Sequence, residues 1–292
     1  MALTTMDGCR AKLARAERHL QDYEDSLRAF TAAHPLRVTV ERSVTEKKFT
    51  FYVHDVAPCD PQWSLIIGDC AHNARSALDH LFYQLTVQTL GRELTEDEQT
   101  KPQFPVAKDQ AAWRKSETRI LKLGMAAPYL KRLEEIQPFN AYDEQIWGHH
   151  ELPGPPAPVA SYLEELTNLN NADKHRLLTP IWRGADLGKR PRDFTTLGGY
   201  ASGTTDLPLT EGGFLGDWHF ATALPELPAD FRPEAYWTFQ PSLRSPFFAT
   251  SVTRILGHCI TATRMILDMF EPSVLRGDPP AALRYWDGPR GL

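Results

Sequence analysis

The sequence predicts an α+β protein, a helical bundle of about four long helices with an appended antiparallel sheet and a β-hairpin. Apolar residues recur every three or four positions over 4–32, 60–90, 158–176 and 246–270, the period of a helix with one buried face. Alternating runs fill 36–54 and recur between 177 and 240. Gly/Pro-rich turns separate those later runs, and four helices interrupted by such strands define the class.

The first helix, 4–32, carries Leu13, Ala16, Leu20, Tyr23, Leu27 and Phe30 on one face and ends before Pro35. Leu36-Val38-Val40 and Phe49-Phe51-Val53, joined by the polar SVTEKK, predict a hairpin with one buried face. Asp60-Pro61 supplies an N-cap and a first-turn proline for a helix that Gly91 stops. A polar loop from Glu96 to Gln103 and the short apolar FPV lead to helices near 108–122 and 127–136, the second closed by Pro138. Residues 140–158, rich in Pro, Gly and His, read as an exposed connection. Helix resumes over 158–176. Leu177 to Trp182, Phe194 to Leu197, Phe214 to Ala221 and Ala235 to Phe239 read as strands. The last helix, 246–270, carries Val252, Ile255, Leu256, Ile260, Ile266, Met269 and Phe270, with Pro272 expected to end it and the tail beyond to form a surface strap. No boundary is visible, so 1–292 is expected to be a single domain.

Apolar residues at 42% and charged residues at 24% are ordinary for a globular chain. A net charge of -5 argues against a surface that attracts nucleic acid everywhere and leaves room for a local basic patch. No run approaches the ~18 apolar residues of a membrane span, and the N-terminus mixes charges without a signal-peptide core, so the expected location is cytoplasmic. Cys9, Cys59, Cys70 and Cys259 are scattered and form no CxxC, which disfavours a disulfide framework or zinc ribbon; Cys70 and Cys259 read as small buried residues. GxxxxGK[ST], GxGxxG after a strand and GxSxG are all absent from the sequence, which removes support for P-loop and serine hydrolase chemistry.

Two polar segments interrupt the apolar pattern. In QWSLIIGDCAHNARSALDHLFYQL, at about 100° per residue, Ile67, Ala71, Ala74, Leu78, Leu81, Phe82 and Leu85 form the buried stripe. Arg75 sits at its edge, with His72 and Asp79 on its outer side, where Arg75 and Asp79 can pair at i,i+4. His80 projects about 140° round from Arg75. Two readings stand: a surface ion pair with solvated histidines, or a proton-transfer histidine beside an arginine able to bind phosphate.

In VASYLEELTNLNNADKHRLL the stripe Val159, Tyr162, Leu163, Leu166, Leu169 continues onto Asn170 and Asp173. A buried carboxylate needs a partner, and Arg75 is the expected cation for Asp173. The other reading is that the helix ends near Asn171 and its Asn-rich tail turns into the next strand. Lys174, His175 and Arg176 follow as a compact cationic group, either phosphate contacts or solvated charge.

SLIIGDCAHNARSALDHL followed about ninety residues later by LNNADKHR resembles a widespread family of uncharacterised bacterial and phage-associated proteins with HN-x-RSALDH and N-x-DKHR segments, over roughly residues 10–180. Arg75 and His80, with four residues between them, are also similar to the Arg-(four to six)-His motif of the HEPN superfamily of helical ribonucleases. Those enzymes usually carry Asn, Asp or His after the arginine, where this chain has Ser76. The HEPN resemblance implies a metal-independent endoribonuclease of a stress or phage-response system. His80 would deprotonate an RNA 2′-hydroxyl, Arg75 would stabilise the developing charge, and His72, Asn73, Asp79, Asn170, Asn171 and Asp173 would support them. RNA is then the partner, a homodimer the expected assembly, and no cofactor or metal is needed.

The first alternative is a non-catalytic ligand- or partner-binding protein whose polar seam is structural. The second is a metal-dependent enzyme using His72, Asp79, His80, Asp173 and His175. His149-His150-Glu151 reads as a surface loop and Trp218-His219-Phe220 as part of a strand with alternating faces.

Overall fold

The computed structural model describes residues 5–35, 37–99, 102–125, 127–140, 159–175, 179–186, 194–202, 211–227, 234–240 and 252–280; for 174, 175, 179–186 and 234–240 it describes the backbone alone. Helices and antiparallel strands make it α+β, as the sequence predicts. The elements are α1 (Asp7–Ala33), β1 (Arg37–Ser43), β2 (Lys48–His54), α2 (Gln62–Leu90), α3 (Glu96–Gln99), α4 (Gln110–Lys122), α5 (Ala127–Glu135), a 3-10 turn (Pro138–Asn140), α6 (Val159–His175), β3 (Thr179–Asp186), β4 (Tyr200–Ser202), β5 (Phe214–His219), β6 (Glu234–Gln240) and α7 (Val252–Arg276). None of the described helices is long and apolar enough to cross a membrane. The chain divides into two compact units, Met1–Gln21 with Ile66–Leu177 and Thr253–Leu292, and Asp22–Leu65 with Leu178–Val252.

The first unit is helical. All seven stripe residues of α2 are buried at 1% exposure or less, as their spacing requires. The narrow side made by Ala71, Ala74 and Ala77 is buried too, and Cys70 there donates its thiol hydrogen to the Ala16 carbonyl. The Asp60 carboxylate accepts from the Gln62 backbone at 2.8 Å, next to the start of α2; Gly91 ends the helix at φ +66. In α7 the expected stop is wrong. Pro272 lies inside the helix, which runs on to Arg276 and closes at Gly277, φ +73. An interior proline costs about 3 kcal/mol relative to alanine. Here the following residues Ser273 and Val274 are fully buried, and Arg10 ties the preceding turn through Asp268 at 2.6 Å and Glu271 at 3.1 Å. Tertiary packing overrides the local signal.

The second unit holds a four-stranded antiparallel sheet in the order β1-β2-β5-β4 and a separate β3-β6 pair. Phe49, Phe51, Trp218, Phe194 and Phe220 form its aromatic core, with Val38 and Val40 packed against it, so the hairpin buries the face its alternation specifies. Phe194–Leu197, expected as a strand, is instead a turn: Gly199 donates to the Phe194 carbonyl at 2.7 Å and Gly198 has φ +65. A Cβ at Gly199 would lie 2.5 Å from that carbonyl, so the glycine is what lets the turn tuck Phe194 into the core. The polar loop also contains the short α3. Residues 141–158, with His149, His150 and Glu151, and the strap from 281 onward lie outside the described residues.

Candidate functional site

Arg75 and Asp79 meet as their spacing predicts, at 2.9 Å, but what they hold is main chain. The Nη2 of Arg75 also donates to the Phe104 carbonyl at 2.5 Å, and the Phe104 N–H donates to Asp79 Oδ1 at 2.9 Å. The pair is thus closed reciprocally on one peptide residue of the FPV segment. Gln137, fully buried, secures the other end: its Oε1 accepts from Ala107 N at 2.7 Å and its Nε2 donates to Pro105 and Leu133 carbonyls. Phe104 then packs edge-on against Phe82 at 6.4 Å. An extended stretch without a strand neighbour gains its backbone partners from side chains in this way.

The expected contact between Arg75 and Asp173 does not form. Arg75 is committed to Asp79 and Phe104, and Asp173 sits against Gly68 of α2. A Cβ on Gly68 would stand 2.1 Å from Asp173 Oδ1, so only the absent side chain leaves room for the carboxylate. The Asp173 carboxyl is held above its ordinary value by burial first and by the neighbouring Asp69 second, with His72 partly opposing the shift. His72 is exposed, its Nε2 3.4 Å from Ser76 Oγ. Asn73 is buried and donates to the Asp69 carbonyl at 2.8 Å, one turn back along the helix.

Asn170 occupies the inward track as predicted, 4% exposed, and its Oδ1 is buried without a hydrogen-bond partner among the described residues. Asn171 is exposed. His80 is exposed as well, with Nδ1 facing Gly8 on α1, where a Cβ would come within 3.0 Å. Among the described contacts it shares none with Arg75. The side chains of Lys174 and His175, and Arg176 altogether, lie outside the described residues. No group of three or more His, Cys, Asp or Glu among the described residues is arranged to hold a metal ion.

The sequence reading missed Gly68, Asp69, Lys108 and Gln137. Lys108 bridges Asn168 at 3.1 Å and Glu164 at 3.4 Å. Gly68 had a signal: a glycine inside an apolar-periodic helix costs about 1 kcal/mol against alanine and points to close approach.

No protein-family model, curated protein or solved structure matches the chain.

Proposed function

We propose that the chain is a non-catalytic ligand- or partner-binding protein in which Arg75 and Asp79 are packing devices. Its binding surface is the polar face that brings Asp69, His72 and Asp173 together beside Gly68. The observation that carries this reading is the bonding of Arg75. A catalytic arginine must turn its donors onto a phosphate as charge develops, whereas Arg75 Nη2 is already shared by Asp79 and the Phe104 carbonyl and Nη1, without a hydrogen-bond partner among the described residues, is buried away from solvent. Freeing it would strand a buried carbonyl and break the clamp on FPV. The face beside Gly68 differs: its carboxylates crowd one another, and His72 is open to solvent.

The ribonuclease reading keeps one supporting observation, the solvent exposure of His80. RNA cleavage and thermal melting of wild type, His80→Ala and Arg75→Ala separate the two. The binding reading expects no cleavage above background, a His80→Ala melt like wild type, and a lowered melt for Arg75→Ala. Cleavage by wild type that His80→Ala abolishes while remaining folded would overturn it.

A further inference from the structure

The outer face of the four-stranded sheet gathers a second set of chemically active side chains. Alternation sends Phe49, Phe51 and Trp218 to the core, so Tyr52, Asp217, His219 and Tyr200 share the opposite face. A bulge opposite Phe51/Tyr52 adds one residue to β5, which puts Phe214 and Asp217, three positions apart, on that same face. Tyr52 and Phe214 then stand 6.4 Å apart at 68°, two walls of a corner. Tyr200 lies flat on His219 at 4.8 Å and 6°. Tyr200 is 59% exposed and Phe214 37%, so ring faces remain available.

The charges select what fits. Lys48 is paired with Glu46 at 2.7 Å, Arg37 with Asp55 at 3.1 Å and His54 with Glu211 at 3.1 Å. Asp217 feels the Lys48 charge but forms no ion pair with it among the described residues. Asp217 has a buried Oδ1 without a hydrogen-bond partner among the described residues, and its Oδ2 is 3.6 Å from His219. Burial first and then the neighbouring Glu41 raise the Tyr52 hydroxyl above its ordinary value. Phosphates would meet cations already paired and the carboxylates of Glu41 and Asp217, which disfavours nucleic acid. A cation would meet ring faces and the part of the Asp217 carboxylate, 16% exposed as a side chain, that reaches the surface. The corner is open, whereas sites for small molecules enclose most of the ligand's surface. A cation carried on a polypeptide can add contacts along Tyr200 and His219.

We propose that this face binds a lysine or arginine side chain of a partner polypeptide, inserted at the Tyr52–Phe214 corner with its charge toward Asp217. The test titrates full-length protein into a fluorescent hexa-arginine peptide and repeats it with Phe214→Ala and Asp217→Asn. The expected weakening is about two- to fivefold for Phe214→Ala, the worth of an exposed cation–π contact, and about tenfold for Asp217→Asn, where a charge-assisted bond is lost. Near-UV circular dichroism and thermal melting verify that each variant is folded. Equal affinity for wild type and both folded variants would overturn the proposal, since the net charge of -5 would then explain the binding. So would tighter binding of a labelled oligouridylate, or competition by tetramethylammonium at the peptide's own concentration, which would assign the corner to RNA or to a small cation.

Discussion

Replacing Gly68 by alanine tests the notch that holds Asp173. In an open helix interior the substitution stabilises by about 0.5–1 kcal/mol, because alanine loses less backbone entropy. Here the new Cβ would lie 2.1 Å from Asp173 Oδ1, 2.4 Å from Cγ and 2.8 Å from Oδ2. With the carboxyl carbon itself inside contact distance, swinging one oxygen away is insufficient; the Asp173 side chain must change rotamer or α6 must move. Such overpacking costs about 1–3 kcal/mol, so the net expectation is a loss of about 1–2 kcal/mol. In an Asp173→Ala background the obstacle is gone, and the same substitution should stabilise by up to about 1 kcal/mol. The cycle is read by urea denaturation, with a coupling energy of about 2 kcal/mol expected for residues in contact. Gly68→Ala that stabilises in both backgrounds would refute the close approach.

Gln137→Leu should cost about 2–3 kcal/mol in the same denaturation assay, because it leaves the Ala107 N–H without its buried acceptor. Asp173→Asn should raise stability near neutral pH: the carboxyl binds its proton more tightly folded than unfolded, so stability falls as pH rises from the unfolded value through the raised folded one. Melts at pH 7 and pH 3 verify this, the advantage vanishing at the lower pH. His258 runs the other way. Burial and then Arg254 lower its value, so stability drops as pH falls below the ordinary histidine range, and His258→Gln should flatten that slope. Cys70, with its thiol pushed up to about 12 by burial, and fully buried Cys259 should react with a thiol reagent only on unfolding.

The parts of the fold that side-chain pattern determines were readable. The α2 stripe, the glycine that ends α2 and the hairpin's buried face follow from periods of 3.6 and 2 and from a glycine's tolerance of positive φ. Asn170 on an inward track was readable for the same reason. Side-chain partners distant in sequence, Lys108 and Gln137 among them, escaped, and so did the partners that have no side chain to see. Arg75 binds the Phe104 carbonyl and Asp173 occupies the space over Gly68, and neither a main-chain oxygen nor a missing Cβ has an identity that a residue-pairing argument can find. Seeking a cation for Asp173 among visible side chains led to Arg75, which the backbone had already engaged. Pro272 and Phe194 failed differently: both are local signals that buried neighbours override.

The charged groups therefore sort by whether an opposite charge within the fold pairs them, as Asp79 pairs Arg75, and that division bears on function more than motif density does. The HNARSALDH stretch is dense in catalytic residue types, yet its arginine and its aspartate are spent on the main chain of one residue, Phe104. Asp173 and Asp217 belong to the other group. Each is partly buried, each lies beside a histidine, and among the described residues neither receives an ion pair from lysine or arginine. Burial of the Asp173 carboxylate costs free energy that a bound cation would return. A ligand that supplies positive charge at either place should thus raise the melting temperature by mass action, while one directed at Arg75 must first compete with the protein's own main chain.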